Sequence, residues 1–444
     1  MIKIPVVLTI AGSDSGGGAG IAADLKTFST LGVHGTCVIT SVTSQNTTGV
    51  QSTFDIPADV VCDQINAVCS DMDVTYAKTG MLASPDIVAK VAECVKKYDL
   101  KLVIDPVMAA EAGGDLLTKD AFSIMKEQLL PLCEVITPNV YEATALSGVD
   151  IKDLNDAKDA AKAIAAAGAR YVIITGGHLD ASDLVYDSAQ EEFTVVSGDF
   201  VEGGTHGSGC TYSASMTAYL ASGYDVADSA KSAKEFVEKA IKASTPVGHG
   251  VGPVDQVSAL RQDAARYRVL EDVMGAVDLL TDCKDFADFV PEVGCNIAMA
   301  IPDASAVSDV AAVAGRIVRL KNEPVCVGCV EFGASSHIAR IVLAAMQTDP
   351  NCRASVNIRY SQKVLDICKE MGLSMSSFSR AEEPENTHTM DWGVSHAIEL
   401  YGGVPVIISD EGGMGKEPMV RVLGKSAQDV VKIATEVARR AARS

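Results

Sequence analysis

The chain has 444 residues, of which 48% are hydrophobic and 21% are charged, a composition that excludes a disordered chain and favours two or more packed domains. Its formal net charge of −21 would repel nucleic-acid backbones and anionic membranes, so we expect neither as a partner. No run of about 18 apolar residues occurs, and residues 1–5 lack the charged start of a signal peptide, which indicates a cytoplasmic protein.

Residues 4–243 alternate short β-rich runs with longer helical ones. Strands are predicted at residues 6–10, 36–42, 74–77, 102–104, 135–136 and 172–174, and helices at 21–31, 60–72, 86–97 and 118–130. This rhythm is typical of an α/β domain in which helices cover a mainly parallel sheet. Ligands of such sheets bind at the carboxyl ends of the strands, and the glycine-rich and polar loops lie there, at residues 11–20, 43–49, 105–114, 137–139 and 175–178.

A glycine- and proline-rich stretch at residues 244–253 ends this series. We therefore predict a first domain at residues 1–245, a linker at 246–264 and a second, mixed α/β domain at 265–444. In the second domain, helices are predicted at residues 260–280 and 426–443, the latter with Ser426 as its N-cap. The spacing of Cys326 and Cys329 is that of a zinc or redox pair, but no second pair follows at ligand distance, so we expect no metal there.

Two glycine-rich junctions lie between a β-rich run and a helix, at residues 11–20 and 203–211. Each is either a tight turn or a place where backbone amides approach an anion. At the second junction, Gly207, Ser208 and Gly209 precede Cys210, which would lie in the first turn of a helix at residues 212–220. The helix dipole there would lower the pKa of the thiol and make it a base or a nucleophile, and the alternative is an ordinary buried cysteine.

Acidic side chains follow two of the other strands. Asp105 comes directly after the strand at residues 102–104, and Asn139 and Glu142 stand three residues apart at a helix start. One or two carboxylates, with water and phosphate oxygens, are the usual ligands of Mg²⁺. Together with an anion-binding glycine loop, these residues predict phosphoryl transfer.

The first domain resembles the hydroxymethylpyrimidine/phosphomethylpyrimidine kinases of thiamine biosynthesis, which have a ribokinase-like fold. The resemblance covers residues 5 to about 255. The blocks that carry it are residues 8–21, 23–28, 44–47, 78–82, 105–108, 137–139, 176–178 and 206–211.

This resemblance implies roles for individual residues. An aminopyrimidine substrate would be surrounded by Gly12, Asp24, Thr43, Gln45, Met81 and Val107. ATP and Mg²⁺ would be held by Asn139 and Glu142, with Asp105 nearby and Thr175 beside the nucleotide phosphates. The loop Gly207, Ser208, Gly209 and Cys210 would form the anion hole. Cys210 takes the place of the aspartate base of related sugar kinases and would deprotonate the hydroxymethyl group or steer its phosphate.

Two positions depart from the family pattern. Thr175 stands where the family usually has a lysine, so this chain lacks a positive charge next to the nucleotide phosphates. Thr43 stands where an apolar or small residue often touches the pyrimidine. The first change bears on nucleotide affinity or on the rate of one phosphorylation step, and the second is milder.

Residues 265–444 hold polar and glycine-rich loops, and they resemble an archaeal-type thiamine-phosphate synthase domain across residues 265 to about 440. That resemblance implies condensation of the pyrimidine diphosphate with a thiazole phosphate and release of pyrophosphate. Such a reaction needs stabilisation of the leaving group, for which Arg359, Arg380, His388 and Lys416 are the candidates.

The sequence thus predicts a bifunctional enzyme that acts on an aminopyrimidine and a thiazole phosphate. Two alternatives remain open: a kinase whose second domain only senses thiamine phosphate, and a pyridoxal kinase. Because kinases of this fold often pair through a sheet edge, we expect a homodimer.

Overall fold

The structure is a computed structural model that describes residues 4–108, 118–176, 180–380, 389–413 and 415–443. The chain folds as two units, Met1–Leu260 and Arg261–Ser444. Within the described ranges, no helix has the length and apolar character needed to cross a bilayer. The 12 cysteines are free thiols.

The first unit is built on a nine-stranded sheet of order β3-β2-β1-β4-β5-β6-β7-β8-β9. The strands are β1 (Val6–Asp14), β2 (His34–Asn46), β3 (Gly49–Asp55), β4 (Val74–Thr79), β5 (Lys101–Ile104), β6 (Cys133–Ile136), β7 (Tyr171–Ile174), β8 (Asp183–Asp187) and β9 (Glu192–Val196). The helices are α1 (Gly20–Thr30), α2 (Ala58–Cys69), α3 (Pro85–Tyr98), α4 (Lys119–Ile124), α5 (Val140–Ser147), α6 (Leu154–Ala166), α7 (Ser208–Ala221) and α8 (Val226–Lys242). Across the sheet, the neighbouring strands β2, β1, β4, β5, β6 and β7 are all parallel. The pairs β2–β3, β7–β8 and β8–β9 are antiparallel.

Helices cover both faces of this sheet, as β5 illustrates. Leu102 and Ile104 belong to a core that also contains residues of α2, α3 and α6. Val103, between them, belongs to a second core with Tyr212 of α7 and Val237 of α8. Successive side chains of a strand point to opposite faces, so residues 102–104 are all apolar because both faces are buried there. The predicted fold class of the first domain is confirmed.

The sequence prediction was wrong at residues 43–49. This segment was expected to be a rim loop, but β2 continues to Asn46 and pairs with β3 from Ser41↔Asp55 to Asn46↔Gly49. The last residues of β2 are polar because β3 is an exposed edge strand, so no apolar pattern marks this part of the ribbon. Asn46 also accepts hydrogen bonds from the amide and hydroxyl of Thr48 in the turn.

The second unit contains a seven-stranded sheet of order β14-β11-β10-β15-β18-β17-β16 and a separate ribbon of β12 and β13. The strands are β10 (Ile297–Ala300), β11 (Val310–Val313), β12 (Ile317–Leu320), β13 (Glu323–Cys326), β14 (Val330–Phe332), β15 (Ala354–Arg359), β16 (Met375–Ser377), β17 (Ile407–Asp410) and β18 (Met419–Gly424). The helices are α9 (Ser258–Thr281), α10 (Ser336–Thr348), α11 (Gln362–Glu370), α12 (Thr389–Tyr401) and α13 (Ala427–Arg443). Of the paired strands, only β16 and β17 run parallel.

Two cores lie on opposite faces of the seven-stranded sheet. One contains residues of α9, α11 and α13, and the other contains residues of α10 and α12. The predicted second mixed α/β domain is confirmed, and so are its helices at residues 260–280 and 426–443. The Ser426 hydroxyl accepts a hydrogen bond from the Asp429 amide (3.2 Å), which is the predicted N-cap contact.

Residues 246–257, predicted as linker, hydrogen-bond within the first unit. The carbonyl oxygen of Gly252 accepts from the His206 amide (3.2 Å), the Val254 amide donates to the His206 carbonyl (3.1 Å), and the Asp255 amide donates to the Ala240 carbonyl (2.9 Å). Val254 is buried. The segment therefore belongs to the fold of the first unit, and the domain bounds 1–245, 246–264 and 265–444 stay a prediction.

Candidate active site

A cavity of about 950 Å³ opens at the carboxyl ends of the parallel strands of the first unit. Of the residues predicted to form the site, those on its wall are Gly12, Thr43, Gln45, Met81, Asp105, Val107, Asn139, Glu142, Thr175, Gly207, Ser208, Gly209 and Cys210. They come from separate loops that the sheet brings to one rim. The structure thus assembles these residues into one site, and their individual roles stay predictions.

Asp24 is the one predicted residue of the first unit that is not on the cavity wall. Its side chain is fully buried on α1, where both carboxylate oxygens contact the ammonium of Lys78 (2.9 and 3.0 Å) and one accepts from the hydroxyl of Thr9 (2.6 Å). The Lys78 ammonium also lies 3.6 Å from Asp105, which does line the cavity. Asp24 is therefore placed beneath the floor of the site, as the partner of Lys78.

Lys78 was not singled out by the sequence reasoning. Burial disfavours its ammonium, but Asp24, Cys210 and Asp105 raise its pKa, so it stays charged. The available signal was a lysine inside the buried strand β4, since buried lysines are nearly always paired. Gly80 lines the cavity, and a Cβ on it would lie 3.3 Å from this ammonium. The charge of Lys78 therefore lies directly behind the cavity wall at Gly80.

Asp105 and Glu142 are two acids on the same wall. The hydroxyl of Ser213 on α7 donates to Asp105 (2.9 Å), and Glu142 closes a capping box with Asn139 at the start of α5. In that box the Glu142 amide donates to the Asn139 side chain (2.9 Å) and the Asn139 amide donates to the Glu142 carboxylate (3.0 Å). Burial, and then the charge of Asp105, raise the pKa of Glu142 to about 8. The two carboxylates therefore resist being ionised together.

The second glycine junction leads into α7 as predicted. Gly207 is the N-cap residue with φ of 82°, and a Cβ there would collide with the carbonyl oxygen of Gly18. The Ser208 amide donates to the Thr205 carbonyl (2.9 Å), whereas the amides of Gly209 and Cys210 lie in the first helical turn, where no carbonyl of the helix can accept from them. A Cβ at Gly209 would meet no atom within 4 Å, so open cavity lies in front of this residue.

The prediction that the helix start lowers the pKa of Cys210 was wrong. Burial raises the pKa of the thiol to about 12; the nearby charge of Lys78 lowers it, and Asp105 and Asp24 raise it further. The two carboxylates outnumber the one ammonium, and burial is the largest contribution. Cys210 is therefore a protonated thiol at neutral pH.

The first glycine junction is organised by Asp14, which the sequence reasoning did not single out. Its carboxylate accepts hydrogen bonds from the amides of Gly16 (2.7 Å), Gly18 (2.9 Å) and Ala19 (2.8 Å), and it lies 3.0 Å from the Nε2 of His206. Burial disfavours this carboxylate, but the His206 contact and the three amides together lower its pKa below the usual value. Asp14 is therefore an ionised residue inside a loop of neutral amides.

Lys234 on α8 lines the far end of the cavity, beside Thr175 and Gly176. It is the only lysine or arginine on the cavity wall among the described residues. Its ammonium and the amide of Gly176 donate to the same oxygen of Asp183 (3.1 and 2.9 Å). Asp183 therefore connects Lys234 to Gly176, the residue that follows Thr175. No local motif marks Lys234 in the sequence, because its neighbours at the site are distant in the chain.

In the second unit, a cleft of about 870 Å³ is lined by Arg380 and Lys416 from the predicted set, together with Tyr360 and Asp410. Both oxygens of Asp410 contact Arg380 (2.5 and 3.2 Å), and one also contacts the buried Arg421 (2.8 Å). Burial disfavours the Asp410 carboxylate, but the two guanidinium groups lower its pKa. One carboxylate between two guanidinium groups leaves this cluster with net positive charge.

Arg359 and His388 are the other predicted residues of the second unit. Arg359 is exposed at the end of β15, next to Tyr360, and is not on the cleft wall. His388 lies outside the described residues. A histidine that the prediction did not include, His337 at the start of α10, is exposed at the protein surface, and partial desolvation and the charges of Arg421, Arg316 and Arg380 lower its pKa, so it is neutral at physiological pH.

The chain is similar to known proteins over both units. A family model described as phosphomethylpyrimidine kinase matches residues 14–255, and one described as thiamine-phosphate synthase ThiN matches residues 272–436. The bifunctional thiamine biosynthesis protein ThiDN of Methanocaldococcus jannaschii is 37% identical over 433 residues, which cover 96% of this chain and 97% of that protein. The hydroxymethylpyrimidine/phosphomethylpyrimidine kinase of Streptomyces coelicolor is 44% identical over 258 residues, which cover 58% of this chain and 96% of that enzyme.

A crystal structure of an ADP complex of Bacillus subtilis pyridoxal kinase is similar to the first unit in fold and in sequence. Its TM-score is 0.53 and its identity is 41%, and the match covers 58% of this chain and 99% of that chain.

Proposed function

The chain belongs to the family of bifunctional thiamine biosynthesis proteins that join a phosphomethylpyrimidine kinase domain to a thiamine-phosphate synthase domain, and from this premise we propose how its two sites work. The first domain phosphorylates 4-amino-5-hydroxymethyl-2-methylpyrimidine and then its monophosphate with ATP. The second domain condenses the resulting diphosphate with thiazole phosphate. The observation that carries the kinase assignment is the single cavity that holds the acids, the anion-hole amides and Cys210.

The aminopyrimidine lies at the end of the cavity lined by Gly12, Gln45 and Met81. A carboxamide can donate to one ring position and accept from the adjacent amino group, which suits a 4-aminopyrimidine. The Thr43 hydroxyl donates to the carbonyl oxygen of Ser13 (2.8 Å) and lies 3.4 Å from the side-chain Oε1 of Gln45, to which it can also donate. The changed residue Thr43 is therefore a neighbour of the Gln45 carboxamide.

The nucleotide phosphates lie at the other end, between Asn139, Glu142 and Lys234. Asp105 and Glu142 suit Mg²⁺, because a divalent cation offsets the burial and the charge of Asp105 that raise the pKa of Glu142. When bound, Mg²⁺ neutralises charge on the phosphate oxygens. Lys234 supplies the positive charge that Thr175 lacks, and Asp183 holds its ammonium at the wall.

Phosphoryl transfer forms a bond from the substrate hydroxyl oxygen to the γ-phosphorus and breaks the bond to the oxygen that leaves on ADP. The amides of Gly209 and Cys210 donate to the transferring group, whose charge grows in this step. Because the transition state is loose, the hydroxyl proton leaves late, to an oxygen of the transferred phosphoryl group, and a strong base is not needed. The protonated Cys210 thiol therefore steers the hydroxymethyl group more than it deprotonates it.

In the second domain, the C–O bond to the diphosphate breaks, the diphosphate leaves, and the thiazole nitrogen bonds to the methylene carbon. Arg380 and Lys416 hold the leaving diphosphate in the cleft, and Asp410 aims the guanidinium of Arg380. Arg359 and His388 stay candidates for the same task. The net positive charge around Asp410 favours an anion that carries several charges.

A coupled assay on the whole chain tests both activities. The chain receives hydroxymethylpyrimidine, ATP, Mg²⁺ and thiazole phosphate, and ADP, pyrophosphate and thiamine phosphate are followed separately. We expect all three products. ADP without pyrophosphate would make the second domain a sensor, and absence of ADP would overturn the kinase assignment.

A pyridoxal kinase is the second candidate for the first domain, because a pyridoxal kinase is 41% identical to it and shares its fold. Pyridoxal also carries a ring hydroxymethyl group, but it has no amino group for Gln45 to recognise. Phosphorylation of pyridoxal with no turnover of the pyrimidine monophosphate would favour this candidate. Comparable turnover of both substrates would show a shared site.

We further propose a homodimer that forms through the β2–β3 edge of the sheet. Val42 and Phe54 are cross-strand partners there, and their side chains are 47% and 66% exposed. Apolar side chains on an edge strand are covered in most stable proteins. Sedimentation of the wild-type chain and of Phe54→Lys should show a dimer and a monomer, respectively.

A further inference from the structure

Three loops of the kinase cavity meet at His206. The first is the glycine junction that contains Asp14, the second is the end of β2 that contains Gln45, and the third contains His206 itself, directly before the anion-hole residue Gly207. His206 is 8% exposed and lines the cavity. Its ring Nε2 lies 3.0 Å from the Asp14 carboxylate and 3.5 Å from the Gln45 amide nitrogen.

The hydrogen on His206 can be assigned from its partners. The Asp14 carboxylate has no hydrogen to give, because three backbone amides already donate to it and its pKa is lowered. The Nε2 of His206 must therefore carry the hydrogen and donate it to Asp14. This bond has a charged acceptor and is buried, so it is stronger than a bond between neutral groups.

The packing around His206 leaves little freedom to replace this bond. A Cβ on Gly18 would collide with the His206 ring, and a Cβ on Gly207 would collide with the Gly18 carbonyl. The His206 backbone is fixed from the other side by Gly252 and Val254. The Asp14–His206 bond is thus the polar link that sets the separation of the two glycine loops.

We propose that His206 is a positioning residue for phosphoryl transfer. Through its bond to Asp14, His206 clamps the anion-hole loop to the first glycine loop and so fixes the Gly209 and Cys210 amides relative to the substrate. This proposal rests on the proposed kinase function. The backbone of Gln45 is held without His206, since its amide donates to the Ser15 hydroxyl (2.7 Å) and that hydroxyl donates to the Gln45 carbonyl oxygen (2.7 Å). Loss of the clamp should therefore affect kcat more than the KM for the pyrimidine.

Two substitutions of His206 form a matched pair. In His206→Gln, the amide nitrogen is as many bonds from the Cα as the Nε2 of histidine and can donate to Asp14. In His206→Asn, the amide nitrogen reaches only as far as Nδ1, and the bond to Asp14 is lost. We expect kcat to fall roughly 10- to 100-fold in His206→Asn with a KM change of less than about threefold, and most of kcat to be retained in His206→Gln.

The outcomes separate a positioning role from a structural one. His34→Asn, at an exposed histidine, is the control and should match the wild type. Equal losses of kcat in both His206 variants, no loss in His206→Asn, or a loss that follows the thermal midpoint would overturn the proposal.

A second measurement does not depend on the reaction. In the ¹⁵N spectrum of the histidine-labelled chain, the signal that disappears in His206→Gln should show a protonated Nε2. A deprotonated Nε2 would overturn the clamp even in an active enzyme. A wild-type chain that forms no ADP from the pyrimidine, but has this protonated Nε2, would overturn the kinase function and leave the clamp as a structural link only.

Discussion

At the scale of single residues, the floor of the kinase cavity is governed by an imbalance of charge. One ammonium, that of Lys78, faces the carboxylates of Asp24 and Asp105 in a buried space. Buried groups respond to such an imbalance more strongly than exposed ones, because little water screens them. The state of Cys210 follows from this cluster together with its own burial, and not from the helix start on which the sequence reasoning relied.

The protonation state of the Cys210 thiol can be measured by alkylation. Because its pKa is raised to about 12, the thiolate fraction should increase about tenfold for each pH unit between pH 7 and pH 10. Iodoacetamide labelling, followed by mass spectrometry of the peptide, should give a rate that rises over this whole range. The exposed Cys329 in the same chain reports the reagent's activity. A Cys210 rate that levels off near pH 7 would contradict the raised pKa.

The buried pair of Lys78 and Asp24 should dominate the stability of the first unit. Lys78→Met leaves the Asp24 carboxylate buried with only the Thr9 hydroxyl as donor, and we expect it to lower the free energy of unfolding by about 3–5 kcal/mol. Adding Asp24→Asn removes the stranded charge, so the double variant should recover most of the loss. Urea unfolding of the wild type, both single variants and the double variant measures this coupling.

The exposed pair of Lys90 and Glu93 is the matched control, because it has the same 2.9 Å separation at the protein surface. Lys90→Met should leave the urea midpoint almost unchanged. If Lys78→Met has as small an effect, or if Asp24→Asn adds to the loss instead of reversing it, the two buried charges do not depend on each other.

Single residues could be predicted where a local motif carries them. Gly207 and Gln45 belong to short sequence motifs that are typical of a binding site, and the structure places both residues on the cavity wall. Lys78, Lys234 and His206 were missed because each acts through a partner far away in the chain, such as Asp24, 54 residues from Lys78. The number of residues between two such positions does not indicate how far apart they lie in space, so the pairing becomes visible only in the fold.

At the scale of elements, the start of α5 connects helix capping to the chemistry of the cavity. The capping box orients the Glu142 carboxylate toward Asp105, and the two acids share one wall. A group whose folded pKa is raised stabilises the fold at low pH. That contribution declines as the pH rises from about 4.3, the usual value, and is lost once the pH passes about 8.

The variant Glu142→Gln tests this pH dependence. It removes the charge and retains an oxygen that can accept from the Asn139 amide. In urea unfolding with EDTA present, we expect it to resemble the wild type at pH 4 and to be more stable by on the order of 3–5 kcal/mol at pH 9. Mg²⁺ should then stabilise the wild type and not the variant.

Glu127→Gln, at an exposed glutamate of the helical turn after α4, provides the control and should follow the wild type at both pH values. A Glu142→Gln curve parallel to the wild-type curve from pH 4 to pH 9 would show that Glu142 ionises normally in the folded chain.

Elements were predictable wherever burial gives them a regular pattern. The parallel strands β1 and β5 are mostly apolar where they are buried, because helices cover both faces, and the amphipathic helix α3 lies between β4 and β5 in the chain. A strand at residues 36–42 of β2 was predicted, but residues 43–46 and β3 were not, because this part of the ribbon is mostly exposed and mostly polar. An edge strand forms through backbone hydrogen bonds that leave little trace in side-chain hydropathy.

At the scale of the whole molecule, the chain combines two units with separate cores and separate sites. Each unit is matched by its own family model, and a kinase that lacks the second domain aligns with the first over 96% of its length. The first unit should therefore fold and act alone, and the remaining question is where it ends.

The segment after α8 decides that question. Gly250 donates its amide to the Thr47 hydroxyl (3.2 Å), the buried Gln256 donates to the Thr211 hydroxyl on α7 (3.1 Å), and Gly252 holds the His206 backbone. These bonds connect residues 246–256 to the turn of the β2–β3 ribbon, to α7 and to the anion-hole loop. A chain that ends at residue 260 keeps all of them, and a chain that ends at residue 245 loses all of them.

We therefore expect the chain of residues 1–260 to phosphorylate hydroxymethylpyrimidine with the kcat of the full protein, within about twofold. The chain of residues 1–245 should lose at least about tenfold in kcat, because the loop before α7 then loses the backbone hydrogen bonds of His206 to Gly252 and Val254. ADP release measures activity, and thermal unfolding of the same samples shows whether the shorter chain still folds. Full activity of the chain of residues 1–245 would show that residues 246–260 are only a linker. Loss of activity in the chain of residues 1–260 would show that the kinase needs the second domain.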